Sequence, residues 1–297
     1  MVLAWDIVTP KTVTVTHIPH RLPPDRMPTV ACHSSRTASI PENGFAFLAP
    51  DQGRNILPTM LVEKFDSPEA WAEGVSKLWI SRLHEKPDIR ICLAAGNTPV
   101  PVCEAMVRAC RAEEASFGEA TIFALDEYGE LAPDDTGRCA NMIRRCLLDH
   151  VELPVENFYE VATEEENLDQ VCADFDAAIG EGFDLAILGI GLNGHLGMNE
   201  PGTSAEATTH RVELHPASIQ SAAGYLDGRE PPRWGITVGM KHLLAAKEVW
   251  LLAAGETKAE IVAQGARGKP TTDIPASLLR DHPECTLFLD EEAAAML

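Results

Sequence analysis

The sequence predicts an α/β fold, a three-layer α/β/α arrangement around a mainly parallel sheet. Three observations carry that reading. From about residue 60 onward, short apolar runs alternate with longer amphipathic ones. The runs at 89–94, 120–125, 184–189 and 248–253 are apolar almost throughout, as strands covered on both faces of a parallel sheet are. The residues richest in chemistry follow those runs directly, where ligands bind in open α/β sheets.

Taken in order, residues 1–57 stand apart as an irregular N-terminal extension. They are rich in proline (Pro10, Pro19, Pro23, Pro24, Pro28, Pro41, Pro50), with β-like pieces at 12–18 and 45–48 and no convincing helix. A single domain over 58–297 follows. Residues 61–65 read as a short strand. Ser67 and Pro68 supply an N-cap and a proline at the first helical position, opening a helix to about residue 84. A strand at 89–94 leads into a helix at 99–113, and a strand at 120–125 precedes a helix at 139–150. A helix at 167–180 precedes a strand at 184–189. The strand 248–253, a helix at 257–264 and a last strand at 285–289 complete the pattern. Strands joined by crossover helices form a Rossmann-like sheet with helices on both faces.

The chain has 297 residues, 24 Lys+Arg against 45 Asp+Glu, and a formal charge of −21. That balance excludes nucleic acid and anionic membrane surfaces as partners, because both need a basic face. It leaves room for a small phosphorylated metabolite, which needs only local amides and one or two cations. Eight cysteines with no C-x-x-C pair read as reduced core residues, not a disulfide scaffold or a zinc site. No apolar N-terminal run resembles a signal peptide and no stretch is long enough to span a membrane, which predicts a cytoplasmic protein.

Four segments carry the chemistry. After the strand ending at Leu93 comes Gly96-Asn97-Thr98-Pro99. Thr98 suits an N-cap and Pro99 the first helical position, so this turn offers a helix N-terminus to a phosphate. After the strand ending at Leu125 come Asp126, Glu127 and Tyr128. A carboxylate at a strand's carboxyl end is costly unless used, and one of the two suits a general base. The third segment runs from Gly189 through Gly191, Asn193, Gly194, His195, Gly197 and Glu200 to Gly202. Its G-x-G-x-x-G pattern meets the dinucleotide fingerprint on paper, with Glu213 downstream. The fingerprint needs a helix opening inside the glycine loop, and Gly197, Pro201 and Gly202 make this stretch a long loop instead. It carries His195 and Glu200, a His–carboxylate pair suited to proton transfer. The fourth is Gly255-Glu256-Thr257-Lys258, a strand-to-helix turn whose lysine fits a phosphate ligand.

With these segments in order, the sequence resembles the glucosamine-6-phosphate deaminase and galactosamine-6-phosphate isomerase family. The matching pieces are LAAGNTP, LDEY, ILGIGLNGHLGMNEPG, GITVGMKHLLAAKEVWLLAAGETKAEIV and TTDIPASLL, spread over about residues 60–290. NGHLGMNEPG and IPASLL look closer to the galactosamine branch. The resemblance implies isomerisation of a hexosamine 6-phosphate with loss of ammonia, giving a ketohexose 6-phosphate, with no metal and no redox cofactor. It assigns ring opening to His195, oriented by Glu200 with Asn193 nearby. It assigns proton transfer between C2 and C1 to Asp126. Gly96, Asn97, Thr98, Lys258, Glu127 and Gly194 would bind substrate or its phosphate.

The chain departs from the family pattern twice. Asn193 stands where glucosamine enzymes carry an aspartate. The segment 214–220 lacks the family's phosphate-binding arginine, for which Arg211, Arg229 or Arg233 are the nearby candidates. Related 6-phosphogluconolactonases share the fold, so a lactonase acting on a phosphorylated sugar is the runner-up. A non-catalytic sugar-phosphate-binding protein is the third reading, and a nicotinamide dehydrogenase the fourth. The expected partner is a small hexosamine phosphate, and the sequence is also compatible with a homo-oligomer.

Overall fold

A computed structural model describes residues 60–297. The predicted extension and Cys32 lie outside the described residues. Seven parallel strands form the central sheet: β1 (Leu61–Phe65), β2 (Arg90–Leu93), β3 (Thr121–Ala124), β5 (Phe158–Tyr159), β6 (Leu185–Gly189), β9 (Glu248–Ala253) and β10 (Cys285–Asp290). Their spatial order is β1-β10-β9-β6-β2-β3-β5. The chain runs outward from β2 through β3 to β5, then returns to place β6 on the other side of β2. The loops leaving β2 and β6 therefore diverge, and the crevice between them opens at the strands' carboxyl ends.

Alternation along the strands builds two cores. Leu185, Ile187, Trp250, Leu252 and Phe288 face the helices α1 (Pro68–Glu85), α2 (Val100–Arg111) and α3 (Cys139–Cys146), packing on Trp71, Trp79, Met106 and Ile143. Ala186, Leu188, Val249, Leu251, Leu287 and Leu289 point the other way. They meet α4 (Leu168–Ile179), α6 (Met240–Leu244) and α7 (Ala259–Arg267) through Phe175, Leu243 and Val262. A period-2 strand with both faces apolar needs a helical layer on each side, and this sheet has both.

Local signals behave as their chemistry requires at α1 and α4. Ser67 Oγ accepts from Ala70 N at 3.1 Å, and Asn167 Oδ1 accepts from Gln170 N at 3.2 Å. The predicted cap at Thr98 does not form. Pro99 holds the N-cap position of α2 with no side-chain cap, and the helix begins at Val100. An extra turn, closed by Val100 N on Asn97 O at 3.3 Å, precedes the helix and leaves the Thr98 side chain for the cleft. The helix expected at 139–150 ends at Cys146 and continues as a 3₁₀ turn over Leu148–His150.

A second, three-stranded antiparallel sheet lies outside the pattern the sequence predicts. It orders β4 (Asp126–Tyr128), β8 (Trp234–Thr237) and β7 (His210–Glu213), with α5 (Pro216–Ala223) between β7 and β8 in the chain. Leu125 joins the two sheets. Its N–H bonds Leu93 O at 3.0 Å in the parallel sheet, and its carbonyl accepts from Val238 N at 2.8 Å beside the small one. The seven cysteines among the described residues are free thiols, five of them buried. No described helix is long and apolar enough to cross a membrane.

Candidate active site

Four strand ends meet at one cleft of about 170 Å³. The turn after β2 contributes Gly96, Asn97 and Thr98, and β4 contributes Asp126 and Tyr128. The loop after β6 contributes His195, and the turn after β9 contributes Lys258. Asp126 and His195, separated by 69 positions in the numbering, thus line the same cavity.

Asp126 is 8 % exposed. Burial is the main reason its carboxyl is pushed up to about 6; the Cys139 thiol and the His195 ring pull it back, and the Glu127 charge adds to the rise. A carboxylate near 6 is ionised at neutral pH yet more basic than an exposed aspartate, which suits removal of a weakly acidic carbon-bound proton.

Glu127 behaves in the opposite way. Pleating turns it to the far side of β4, where it is fully buried. Its Oε1 accepts from Tyr128 N at 2.8 Å and Cys139 N at 2.9 Å, and its Oε2 accepts from Ala140 N at 3.1 Å. Arg138 Nε lies 3.3 Å from Oε2. The Glu127 carboxylate closes the N-terminus of α3 and is not among the groups that line the cleft. Gly194 does not line the cleft either; its φ of +85° and a close approach to Ile274 suit a tight turn, and its carbonyl accepts from Ala276 N at 2.9 Å.

His195 sits in a built socket. Its ring lies directly over Gly191, where an added Cβ would come within 2.4 Å of three ring atoms. Only glycine leaves that space. Nδ1 is 3.1 Å from Ser218 Oγ on α5 and 3.5 Å from Glu200 Oε2. Glu200 is held in turn by Asn193 Nδ2 at 2.9 Å and His215 N at 3.1 Å. Burial pushes the Glu200 carboxyl up, but donation from His195, Ser218 and Asn193 outweighs it and holds the group at about 2. Asn193 therefore contacts the carboxylate rather than the imidazole ring; its Oδ1 accepts from the His195 backbone N–H at 3.2 Å. The loop is fastened to β8, with Met198 N on Thr237 Oγ1 at 3.2 Å and Asn199 Nδ2 on Val238 O at 2.9 Å.

At the other end of the cleft, Lys258 Nζ donates to Ile190 O at 2.7 Å, and burial pulls its pKa down. It occupies the N-cap position of α7 after a 3₁₀ turn, not the first turn of the helix. Gly96 adopts φ +92°, which turns the backbone toward the cleft, and the Tyr225 hydroxyl sits against that turn. None of the arginines suggested as replacements lines the cleft. Arg211 pairs with Glu213 and lies over the Trp234 ring, Arg229 pairs with Asp135, and Arg233 pairs with Glu230. Ser218 and Tyr225 escape sequence reasoning, because a lone serine and a lone tyrosine on a short helix and its following turn carry no pattern.

Residues 66–288 match the family model described as glucosamine-6-phosphate isomerases/6-phosphogluconolactonase. A glucosamine-6-phosphate deaminase of Bacillus pumilus is 32% identical over 240 residues, covering 80% of this chain and 100% of the relative. One from Rhodopirellula baltica is 35% identical over 248 residues, covering 82% and 98%. Among solved structures, a monomeric glucosamine-6-phosphate deaminase superposes with a TM-score of 0.78 at 30% identity, covering 80% of this chain and 100% of that one. The family model spans most of the chain and these relatives are covered almost end to end: the chain belongs to the glucosamine-6-phosphate isomerase/6-phosphogluconolactonase family.

Proposed function

We propose that this protein converts a hexosamine 6-phosphate to a ketohexose 6-phosphate and ammonia, by isomerisation coupled to deamination. The observation that carries the reading is the shared cleft. A buried carboxylate poised near 6 and a carboxylate-held imidazole line one small cavity, with a lysine and a glycine turn among the residues that also line it. The family membership and the deaminase relatives support the same activity.

In this reading the phosphate lodges at the Gly96–Thr98 turn and Lys258. That fixes the sugar's far end and leaves its C1–C2 end between Asp126 and His195. His195 moves the proton that opens the ring. Its Nδ1 side is held by Ser218 and Glu200, so the other ring nitrogen is left to face the sugar. Asp126 takes the C2 proton of the open-chain sugar and returns one to C1, while the amino nitrogen gives up a proton and the former aldehyde oxygen gains one, leaving an imine at C2 and a hydroxyl at C1. Water adds to that carbon and ammonia leaves. Every step is a proton transfer or a hydration, for which side chains suffice. The free thiols among the described residues are consistent with a cytoplasmic setting.

The test is ammonia release from glucosamine 6-phosphate and galactosamine 6-phosphate, measured side by side with exchange of deuterium at C2. Release from at least one epimer, with label lost from C2, is the expected result. Hydrolysis of a phosphorylated sugar lactone without either signal would refute the assignment and favour the lactonase reading. The relatives' names favour the glucosamine epimer and the NGHLGMNEPG motif the galactosamine one, so the ratio of the two rates also ranks the branches.

A further inference from the structure

A second cavity, of about 520 Å³, adjoins the cleft and shares Gly96, Asn97, Met142 and Tyr225 with it. Its charge differs from that of the rest of this acidic chain. Arg108 and Arg111 reach it from the last turn of α2 and Arg145 from the last turn of α3, and Glu104 is the single carboxylate residue in its lining. Arg108 is engaged by Glu73 at 2.5 Å. Among the described residues, neither Arg111 nor Arg145 has a carboxylate within salt-bridge reach; Arg145 gives one N–H to Thr136 O at 2.7 Å. By contrast, Arg82, Arg138, Arg144 and Arg229 are all ion-paired.

A helix C-terminus tolerates a cation. That preference does not explain why two helices bring unpaired guanidinium groups to one concavity. The cavity is within the range of small-ligand sites, roughly 300–1,000 Å³. Guanidinium forks with free N–H groups match the oxygens of phosphate or carboxylate in geometry as well as charge.

We propose that this cavity is a second anion-binding site, taking a small phosphorylated or carboxylated molecule on Arg111 and Arg145. The Tyr225 side chain and the Gly96–Asn97 turn form the wall it shares with the catalytic cleft. The site goes beyond the reaction assigned above; only its effect on substrate binding rests on that reading. A consequence follows from Coulomb's law. An anion here and a sugar phosphate at the turn would both lie against the shared Gly96–Asn97 segment, so each weakens the other's binding, most at low salt.

The probe is inorganic phosphate, titrated calorimetrically into the full chain. Lys258→Ala, which removes the cation of the substrate end, retains a phosphate site. Adding Arg111→Ala and Arg145→Ala to it weakens that site by at least about tenfold. The wild-type and the Arg111→Ala/Arg145→Ala double variant give the same comparison without touching Lys258. Both arginines are exposed, so circular dichroism should match the wild type. In steady-state assays at low salt, phosphate raises the KM of the wild type more than that of the double variant, by on the order of fivefold, with kcat unchanged. Absence of phosphate binding in Lys258→Ala, or undiminished binding once both arginines are gone, overturns the proposal.

Discussion

The two walls of the cleft each carry a carboxylate, and the walls treat them in opposite ways. On the β4 wall, Asp126 is given burial and few donors, and its carboxyl rises to about 6. On the loop wall, Glu200 is also buried but is surrounded by donors from Asn193, His195, Ser218 and the His215 amide, and it falls to about 2. Both are buried, Asp126 the more deeply, and only Glu200 has a full set of donors to offset it. One wall makes a carboxylate that can take up a proton near neutrality, and the other makes one that stays charged and holds a ring in place. Pairs pushed apart in this way mark which group exchanges protons and which only directs.

The largest test of this contrast is Asp126→Asn. We expect kcat/KM to fall about 10³- to 10⁴-fold while ligand binding persists. Stability should move the other way. Because the folded pKa lies above the unfolded value of 3.8, the stabilising contribution of the protonated form is complete below that value and lost as pH rises through about 6. At pH 7 the wild type therefore bears an ionised buried carboxylate that asparagine removes, and chemical denaturation should show the variant more stable by up to about 3 kcal/mol. A variant less stable than the wild type at pH 7 would break the comparison. Next in size is the neighbour, Glu127→Ala. It strips the acceptor from the amides of Tyr128, Cys139 and Ala140 and leaves Arg138 without its buried partner. A loss of roughly 3 kcal/mol at pH 7 is expected, opposite in sign to its neighbour.

Lowering the pH sharpens the contrast without mutation. Between pH 7 and 5, Asp126 gains its proton while Glu200 keeps its charge, since its stabilising contribution is lost only as pH falls toward about 2. The rate should drop about tenfold per pH unit below 6, with the circular dichroism spectrum unchanged and activity restored on return to pH 7. The smallest effect is expected of Ser218→Ala, about tenfold in kcat with KM little changed, since the Ser218 hydroxyl holds the His195 ring. A displaced pH profile, rescued by Ser218→Thr, would separate this positioning role from a packing defect.

Much of the fold was legible because the parallel strands are apolar on both faces and bounded by glycine, proline and cap residues. The small antiparallel sheet was not. Its strands are Asp-Glu-Tyr, His-Arg-Val-Glu and Trp-Gly-Ile-Thr, too short and too mixed to show a period. That matters for Asp126 and Glu127. The sequence marks them as a pair of which one can face the cleft; only the strand β4, by alternation, sends them to opposite faces. Asp126, His195 and Lys258 were legible because each follows a strand end that the sequence marks. Ser218 was not, since its closeness to His195 depends on how α5 folds back across the loop. Tyr225 is hidden for the same reason, as its position against the Gly96 turn exists only in three dimensions.

Leu125 ties the large sheet to the small one, and the small one is closed by a strand ending at Thr237. The same strand clamps the histidine loop through Thr237 and Val238. During synthesis, then, the aspartate and the imidazole leave the ribosome long before anything holds them at their working separation. A nascent chain stopped short of the segment around 234–238 lacks the strand that closes this ring of contacts, so it should be inert even though Asp126 and His195 have already been made.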